Sequence, residues 1–150
     1  MLKIGLLNLF VQGYELHRIN KEDKFKVRDN ENLRNILLKM LSESCTIVIL
    51  EDGSIIGYAS YKIAQKLTKS LWIDEIVINE NFSDNGYGKR VLNYIEKIAE
   101  AKECDSIELS CWSFNKRALE IYEHLGFKEQ KVILEKKISK KSKRSKRSES

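Results

Sequence analysis

Along this chain the spacing of apolar residues changes period repeatedly, and each change marks an element. A short apolar opening, Met1 to Leu6, precedes Asn8 to His17, where Leu9, Phe10, Tyr14 and Leu16 fall at mixed helical spacing behind Asn8 as a capping residue. This predicts a strand followed by a helix. Arg18 to Asn30 is charged, with Phe25 as its lone aromatic, and leads into Leu33, Ile36, Leu37, Met40 and Leu41, an i, i+3, i+4, i+7, i+8 stripe that predicts a second helix. Cys45 to Leu50 and Ile55 to Ile63 read as strands flanking Glu51-Asp52-Gly53-Ser54, in which Asp-Gly supplies a hairpin turn. Leu71 to Ile78 is a further strand, apolar apart from Asp74 and Glu75. Lys89 to Lys102 stacks Val91, Leu92, Ile95, Ile98 and Ala99 on one helical face, and Ser106 to Trp112 reads as a strand. Asn115 to Leu125 predicts a helix with Asn at its start and Gly126 just past its end, and Phe127 to Leu134 a last strand. The order β-α-α-β-β-β-α-β-α-β predicts an α/β fold, a mixed sheet with helices on both faces.

Charge alters the picture at one end only. Of the 27 Lys/Arg in 150 residues, eight fall after Glu135 with a single Glu, so that stretch carries +7, and the remaining 19 Lys/Arg against 21 Asp/Glu leave residues 1–135 at −2. Ser139, Ser142, Ser145 and Ser148 recur every third residue among these cations with nothing apolar to bury. We therefore expect one domain over residues 1–138 and a disordered basic tail over 139–150. The tail lacks aromatic residues to stack on bases, so any polyanion binding through it is expected to be weak and unspecific. Cys45, Cys104 and Cys111 form no C-x-x-C pair; Cys45 and Cys111 read as small core hydrophobes, and an odd number of thiols fits a reducing, cytoplasmic setting. No apolar run approaches the ~20 residues needed to span a bilayer, so no membrane association is expected.

The candidate chemistry begins with Ser83-Asp84-Asn85-Gly86-Tyr87-Gly88-Lys89, which runs from the strand ending at Ile78 into a helix. Such a turn exposes backbone N–H groups at the positive end of the helix dipole, and Gly86 and Gly88 remove the side chains that would block a phosphate. The dinucleotide fingerprint needs a third small residue where this chain has Val91, and the P-loop needs Gly and Ser or Thr where it has Ser83 and Arg90. A plain strand-to-helix turn remains the alternative reading of the loop alone. Lys89 and Lys116 are the nearest candidate cations.

Ile78, Gly86 and Gly88 resemble the pattern of the GNAT superfamily of N-acetyltransferases, in which an aliphatic strand end is followed by Gln or Arg, then x-x-G-x-G or A; Ser83 stands here in place of the Gln or Arg. Asn115, Ala118, Tyr122, Gly126 and Phe127 are similar to its second signature, N-x-x-A-x-x-x-Y-x-x-x-G-F. The resemblance implies acetyl-CoA as co-substrate, direct transfer to an amine, and no metal. It further implies that residues 83–89 (Ser83, Asp84, Asn85, Gly86, Tyr87, Gly88 and Lys89) cradle the pyrophosphate and that Asn115 contacts the coenzyme. The backbone of Ile76, Val77 and Ile78 would hold the pantetheine arm, and Tyr122 would protonate the departing thiolate.

An ammonium has no lone pair, so the acceptor must first lose a proton, and a carboxylate on the same strand can take it. Glu75 is the first choice and Asp74 the second; as neighbours on a regular strand they face opposite sides unless a bulge intervenes. The family implies that the first helices and their loop cover the acceptor, so Tyr14, His17 and Phe25 are the candidate substrate residues, with Glu15 as an acidic neighbour. The expected acceptor is the amine of a small molecule. A protein amine, as in N-terminal or lysine acetylation of ribosomal-protein type, is the runner-up, and a non-catalytic protein binding CoA or nucleic acid is the alternative from another class. Whether the protein is a homodimer stays open.

Overall fold

The computed structural model describes residues 2–139, with side chains from Ile4 onward. The basic tail proposed from the sequence lies, after Ser139, outside the described residues. The described residues fall into two compact units, divided between Lys116 and Arg117.

In the first unit, α1 (Leu2–Asn20) and α2 (Asn30–Glu43) precede β1 (Cys45–Glu51), β2 (Ser54–Gln65) and β3 (Lys69–Ile78); a 3-10 turn (Glu80–Phe82), α3 (Tyr87–Ala101) and β4 (Ser106–Leu109) follow. The sheet order is β1-β2-β3-β4, antiparallel except for the parallel β3/β4 pair, so the expected α/β mixed sheet is present. The expected hairpin turn is formed by Asp52 and Gly53 at φ 49° and 79°, the left-handed pair that matches strand twist.

The opening strand expected over Met1 to Leu6 is absent, because Leu2 already belongs to α1. Leu6, Leu9 and Phe10, at i, i+3 and i+4, are all buried against α2 and the sheet, so helical spacing governs the segment. Gly5 and Gly13 bring the helix close: a Cβ on Gly5 would sit 3.4 Å from Ile55, and one on Gly13 3.3 Å from Val77. α2 starts at Asp29, whose Oδ1 accepts the Asn32 N–H at 2.8 Å.

Tyr58 and Tyr61 lie three apart on β2 and face opposite sides of the sheet. Tyr58 joins Leu6, Leu9, Phe10, Leu33, Leu37 and Val77 in the core beneath α1 and α2, while Tyr61 feels Tyr94 of α3. α3 buries Val91, Leu92, Ile95 and Ala99 of the stripe predicted for it, with Ile98 half-buried. No helix among the described residues is long and apolar enough to cross a membrane.

Among the glycines, Gly57 has the least room for a side chain. A Cβ there would lie 2.8 Å from Ile78 Cδ1, 2.9 Å from Ile49 Cδ1 and 2.9 Å from the Val77 carbonyl oxygen. Gly57→Ala is expected to cost about 1–3 kcal/mol through overpacking, read as a lower urea midpoint at unchanged m value. An unchanged midpoint would show that the strands relax freely around the methyl.

From its second residue onward α4 (Lys116–His124) belongs to the second unit, and it ends in a hydrogen-bonded cap: Gly126, at φ 92°, donates to Glu123 and Phe127 donates to Tyr122, both at 3.0 Å. The last strand expected over Phe127 to Leu134 is not formed; residues 125–139 contain no strand, and Val132, Ile133 and Leu134 are exposed. An apolar run suggests a strand locally, but a strand exists only through a neighbour's backbone.

Candidate active site

β3 pairs with β2 along its whole length but with β4 only through Ser70–Ile73, the last matched residues being Ile73 and Leu109. From Asp74 to Ile78 the edge of β3 that faced β4 has no strand partner among the described residues. At the same point the β2/β3 register shifts: Ser60 pairs with Glu75 and Tyr61 with Ile73, leaving Asp74 as the extra residue of a bulge. A bulge beside parting strands opens backbone N–H and C=O groups to a ligand without breaking the sheet behind them. The backbone named for the pantetheine arm, Ile76 to Ile78, lies on this stretch, and the Ile78 carbonyl also accepts a hydrogen bond from Gln12 Nε2 at 2.9 Å. The Val77 side chain points away into the α1/α2 core.

The bulge also changes where the two carboxylates go. On a regular strand they would face apart; here both meet partners from the β2 face that carries Tyr58, Ser60 and Lys62. The Tyr58 hydroxyl, fully buried, donates to Glu75 Oε2 at 2.7 Å. Asp74 accepts from Ser44 Oγ at 2.9 Å and pairs with Lys62 Nζ at 3.2 Å. Burial pushes the Glu75 carboxyl above its ordinary value, the Tyr58 hydrogen bond pulls it partly back, and the Asp74 charge pushes it up again. The Tyr58 phenol is pushed well up by burial and by the Glu75 charge, so it stays protonated and remains a donor. Asp74 is thus engaged by a cation and Glu75 by a phenol. Opposite Glu75, the Ser60 hydroxyl is buried with no hydrogen-bond partner.

The glycine loop turns as the sequence predicts. Gly86 caps α3 at φ 77° with no side-chain cap hydrogen bond, and Asp84 also takes a left-handed φ of 71°. The first amides of α3, from Tyr87 to Lys89, thus lack an intrahelical acceptor. A Cβ on Gly86 or Gly88 would meet nothing within 4 Å, so open space lies before the helix end. Ser83 turns back, its Oγ donating to the Glu80 carbonyl at 2.8 Å, and Ser83, Asn85 and Lys89 are exposed. Tyr87 donates to the Glu51 carboxylate and lies beneath the Arg90 guanidinium, 5.5 Å from its ring centroid. Arg90, rejected from the P-loop comparison for want of a hydroxyl, thus adds a cation to this helix end that motif reading passed over.

Tyr14, His17 and Phe25, named from the first helix and its loop, do come together. Phe25 lies 5.7 Å from Tyr14 and 5.4 Å from His17. Two residues not singled out from the sequence join them: Phe114 lies 5.8 Å from His17, and Trp112 5.8 Å from Phe25. The available signal was an aromatic pair, Trp-x-Phe, immediately before Asn115. His17 Nδ1 lies 2.8 Å from the Gly13 carbonyl, a helix-internal contact, and the Tyr14 hydroxyl donates to the Lys26 carbonyl at 2.7 Å. Glu15 is bound by Arg18 at 2.7 Å, which holds its carboxyl below the ordinary range and takes up the charge expected for a cationic acceptor.

The Asn115 N–H donates to the Trp112 carbonyl at 3.0 Å. Tyr122 is half-buried on α4, its ring edge-on to Phe127 at 5.6 Å. Cys45, expected in the core, is exposed at the start of β1, and burial pushes the Cys111 thiol up, away from the thiolate form. Among the described residues no cluster of three or more His, Cys, Asp or Glu is arranged to hold a metal ion.

A sequence model of the acetyltransferase (GNAT) family matches residues 12–127. The chain is 29% identical over 82 residues to a spermine/spermidine N(1)-acetyltransferase of Bacillus subtilis, the match covering 51% of this chain and 54% of that protein. The chain thus spans about half the length of the curated relatives it matches. Among solved structures, the BH1408 protein of Bacillus halodurans superposes with a TM-score of 0.83 at 22% identity, covering 90% of this chain and 93% of that one. An aminoglycoside N-acetyltransferase in complex with CoA superposes with a TM-score of 0.59 at 20% identity, covering 73% and 90%.

Proposed function

The chain belongs to the GNAT acetyltransferase family, and from that premise we propose that it transfers an acetyl group from acetyl-CoA directly to a primary amine of a small molecule. The observation that carries this reading is the coincidence, within five residues of β3, of a bulge, a parted strand and a half-buried carboxylate, followed by an uncapped helix end. Phosphate at that end would accept from the amides of Tyr87, Gly88 and Lys89, favoured by the helix dipole. The open space before Gly86 and Gly88 fits such a group.

When bound, acetyl-CoA supplies an activated acyl carbon and a sulfur leaving group. Free N–H groups on the parted edge of β3 then serve the pantetheine arm and the thioester oxygen. Glu75 takes the proton from the acceptor ammonium, and burial raises its affinity for that proton above that of an ordinary carboxylate. The phenol of Tyr122, at the tyrosine position of the second motif, returns a proton to the departing sulfur. A small-molecule acceptor is supported by the relatives: one is named for spermine and spermidine, another for aminoglycosides. Three unpaired cysteines fit a reducing compartment, so we assign the protein to the cytoplasm.

The test is calorimetric titration of the full chain with acetyl-CoA, then a screen of amines for release of free CoA thiol. Micromolar binding with turnover of at least one amine supports the proposal; no binding removes it. Tyr122→Phe is expected to lower kcat about ten- to a hundredfold with little change in acetyl-CoA affinity, as befits a group acting on the leaving sulfur. Equal losses in affinity and rate would instead mark Tyr122 as a packing residue of α4.

A further inference from the structure

Five aromatic side chains from two distant stretches, Tyr14, His17 and Phe25 on one and Trp112 and Phe114 on the other, form a chain of ring contacts between 5.4 and 5.8 Å. It is not sealed as a core would be: Trp112 keeps 39% of its surface exposed. Over its ring lies a cation of the protein's own, the Lys21 ammonium, 5.6 Å from the centroid, its nearest carboxylate in an ion pair being Asp23 at 3.9 Å. The face of an indole is the strongest side-chain seat for an alkylammonium, and this one is held loosely, by a half-exposed lysine on a flexible stem.

An ammonium held over a ring has no lone pair and cannot be the nitrogen that attacks a thioester. An acceptor using both the indole and Glu75 must therefore carry at least two nitrogens, one kept charged and one deprotonated. We propose that the Trp112 face, edged by Phe25, seats the non-reacting ammonium of a di- or polyamine acceptor, and that Lys21 is an internal competitor which the acceptor displaces. The inference rests on the acetyltransferase reading above and adds to it the class of acceptor and a device that moderates its affinity. Lys21 lowers affinity only for acceptors that use the indole face; a monoamine whose single nitrogen must lose its proton does not contend for that seat.

Calorimetric titration with straight-chain diamines of increasing length, and with the matching monoamines, tests this without turnover. The expected result is that at least one diamine binds more tightly than its monoamine. Lys21→Met should tighten that diamine about two- to fivefold, the worth of one exposed cation–π contact, and Trp112→Leu should weaken it by a similar factor or more, with Trp112→Phe retaining most of the affinity. In the double variant the gain from Lys21→Met should vanish. Thermal unfolding and acetyl-CoA titration of each variant confirm that it is folded. The proposal is overturned if no diamine binds a chain that binds acetyl-CoA, if monoamines bind equally well, or if the Lys21→Met gain persists without Trp112. Failure of the chain to bind acetyl-CoA would sink the enzyme reading instead, and diamine binding would be judged separately.

Discussion

Glu75→Gln is expected to lower kcat by about a hundredfold or more across neutral pH, the ordinary contribution of a positioned general base, while making the protein more resistant to heat. Both effects have one origin. Burial raises the Glu75 carboxyl above the value of about 4.5 that it has when the chain is unfolded. Between those two values the folded state binds more protons than the unfolded state, so stability falls as pH rises through that window. Above it the full cost of an ionised buried carboxylate is present, and below it none of that cost remains. Glutamine keeps the shape and can still accept the Tyr58 hydroxyl, but it carries no charge. The melting temperature of the variant should thus match wild type in acid and exceed it increasingly as pH rises above the ordinary carboxylate range. Melting curves at both ends, with kcat from pH 6 to 9, decide the matter. An unchanged kcat would remove Glu75 as the base even if the stability difference appears, because the latter needs only burial.

Gly86→Glu should abolish measurable acetyl-CoA binding, a loss of about a hundredfold or more. Two costs combine: a side chain forced to φ 77°, worth about 1–2 kcal/mol, and a carboxylate set against phosphates at the helix end, where the dipole otherwise favours an anion. The strain alone would leave affinity intact in molecules that fold. Gly88→Ala separates the two. Gly88 is helical, and an added methyl meets no atom, so alanine should raise stability by up to about 1 kcal/mol and yet weaken acetyl-CoA, if the ligand's phosphates approach the backbone there. A stabilised Gly88→Ala with wild-type affinity would place the phosphates elsewhere. The paired measurements are urea unfolding and calorimetry on the same samples.

Much of this was readable in the residues. Val91, Leu92, Ile95 and Ala99 are a stripe that only a helix against a sheet can bury, and they are buried. Asp52-Gly53 and Gly126 stand where left-handed backbone is needed and adopt it. The glycine loop and the Asn115 to Phe127 motif named the family that the comparison with known sequences then found. Misreadings came where a local pattern has two tertiary outcomes. Met1 to Leu6 is apolar whether it enters a strand or a helix, and the choice fell to the helix because Leu6, Leu9, Phe10 and the two close-packing glycines share one face. Phe127 to Leu134 looks like a strand, but pairing is not a property of one segment.

What the sequence determined by itself, then, is the set of elements whose signal lies within one turn or one helix: periodicity, caps, left-handed glycines and the motifs they space. Only the tertiary structure decided that β3 carries a bulge at Asp74, that Glu75 meets Tyr58, and that Phe25 finds Trp112. These pairs are separated by 17 and 87 residues in the last two cases, and nothing in either partner's neighbourhood encodes the other. The chemistry proposed for this protein depends on such pairs, because burial and a neighbouring charge set a carboxyl's proton affinity, and both are properties of the folded surroundings.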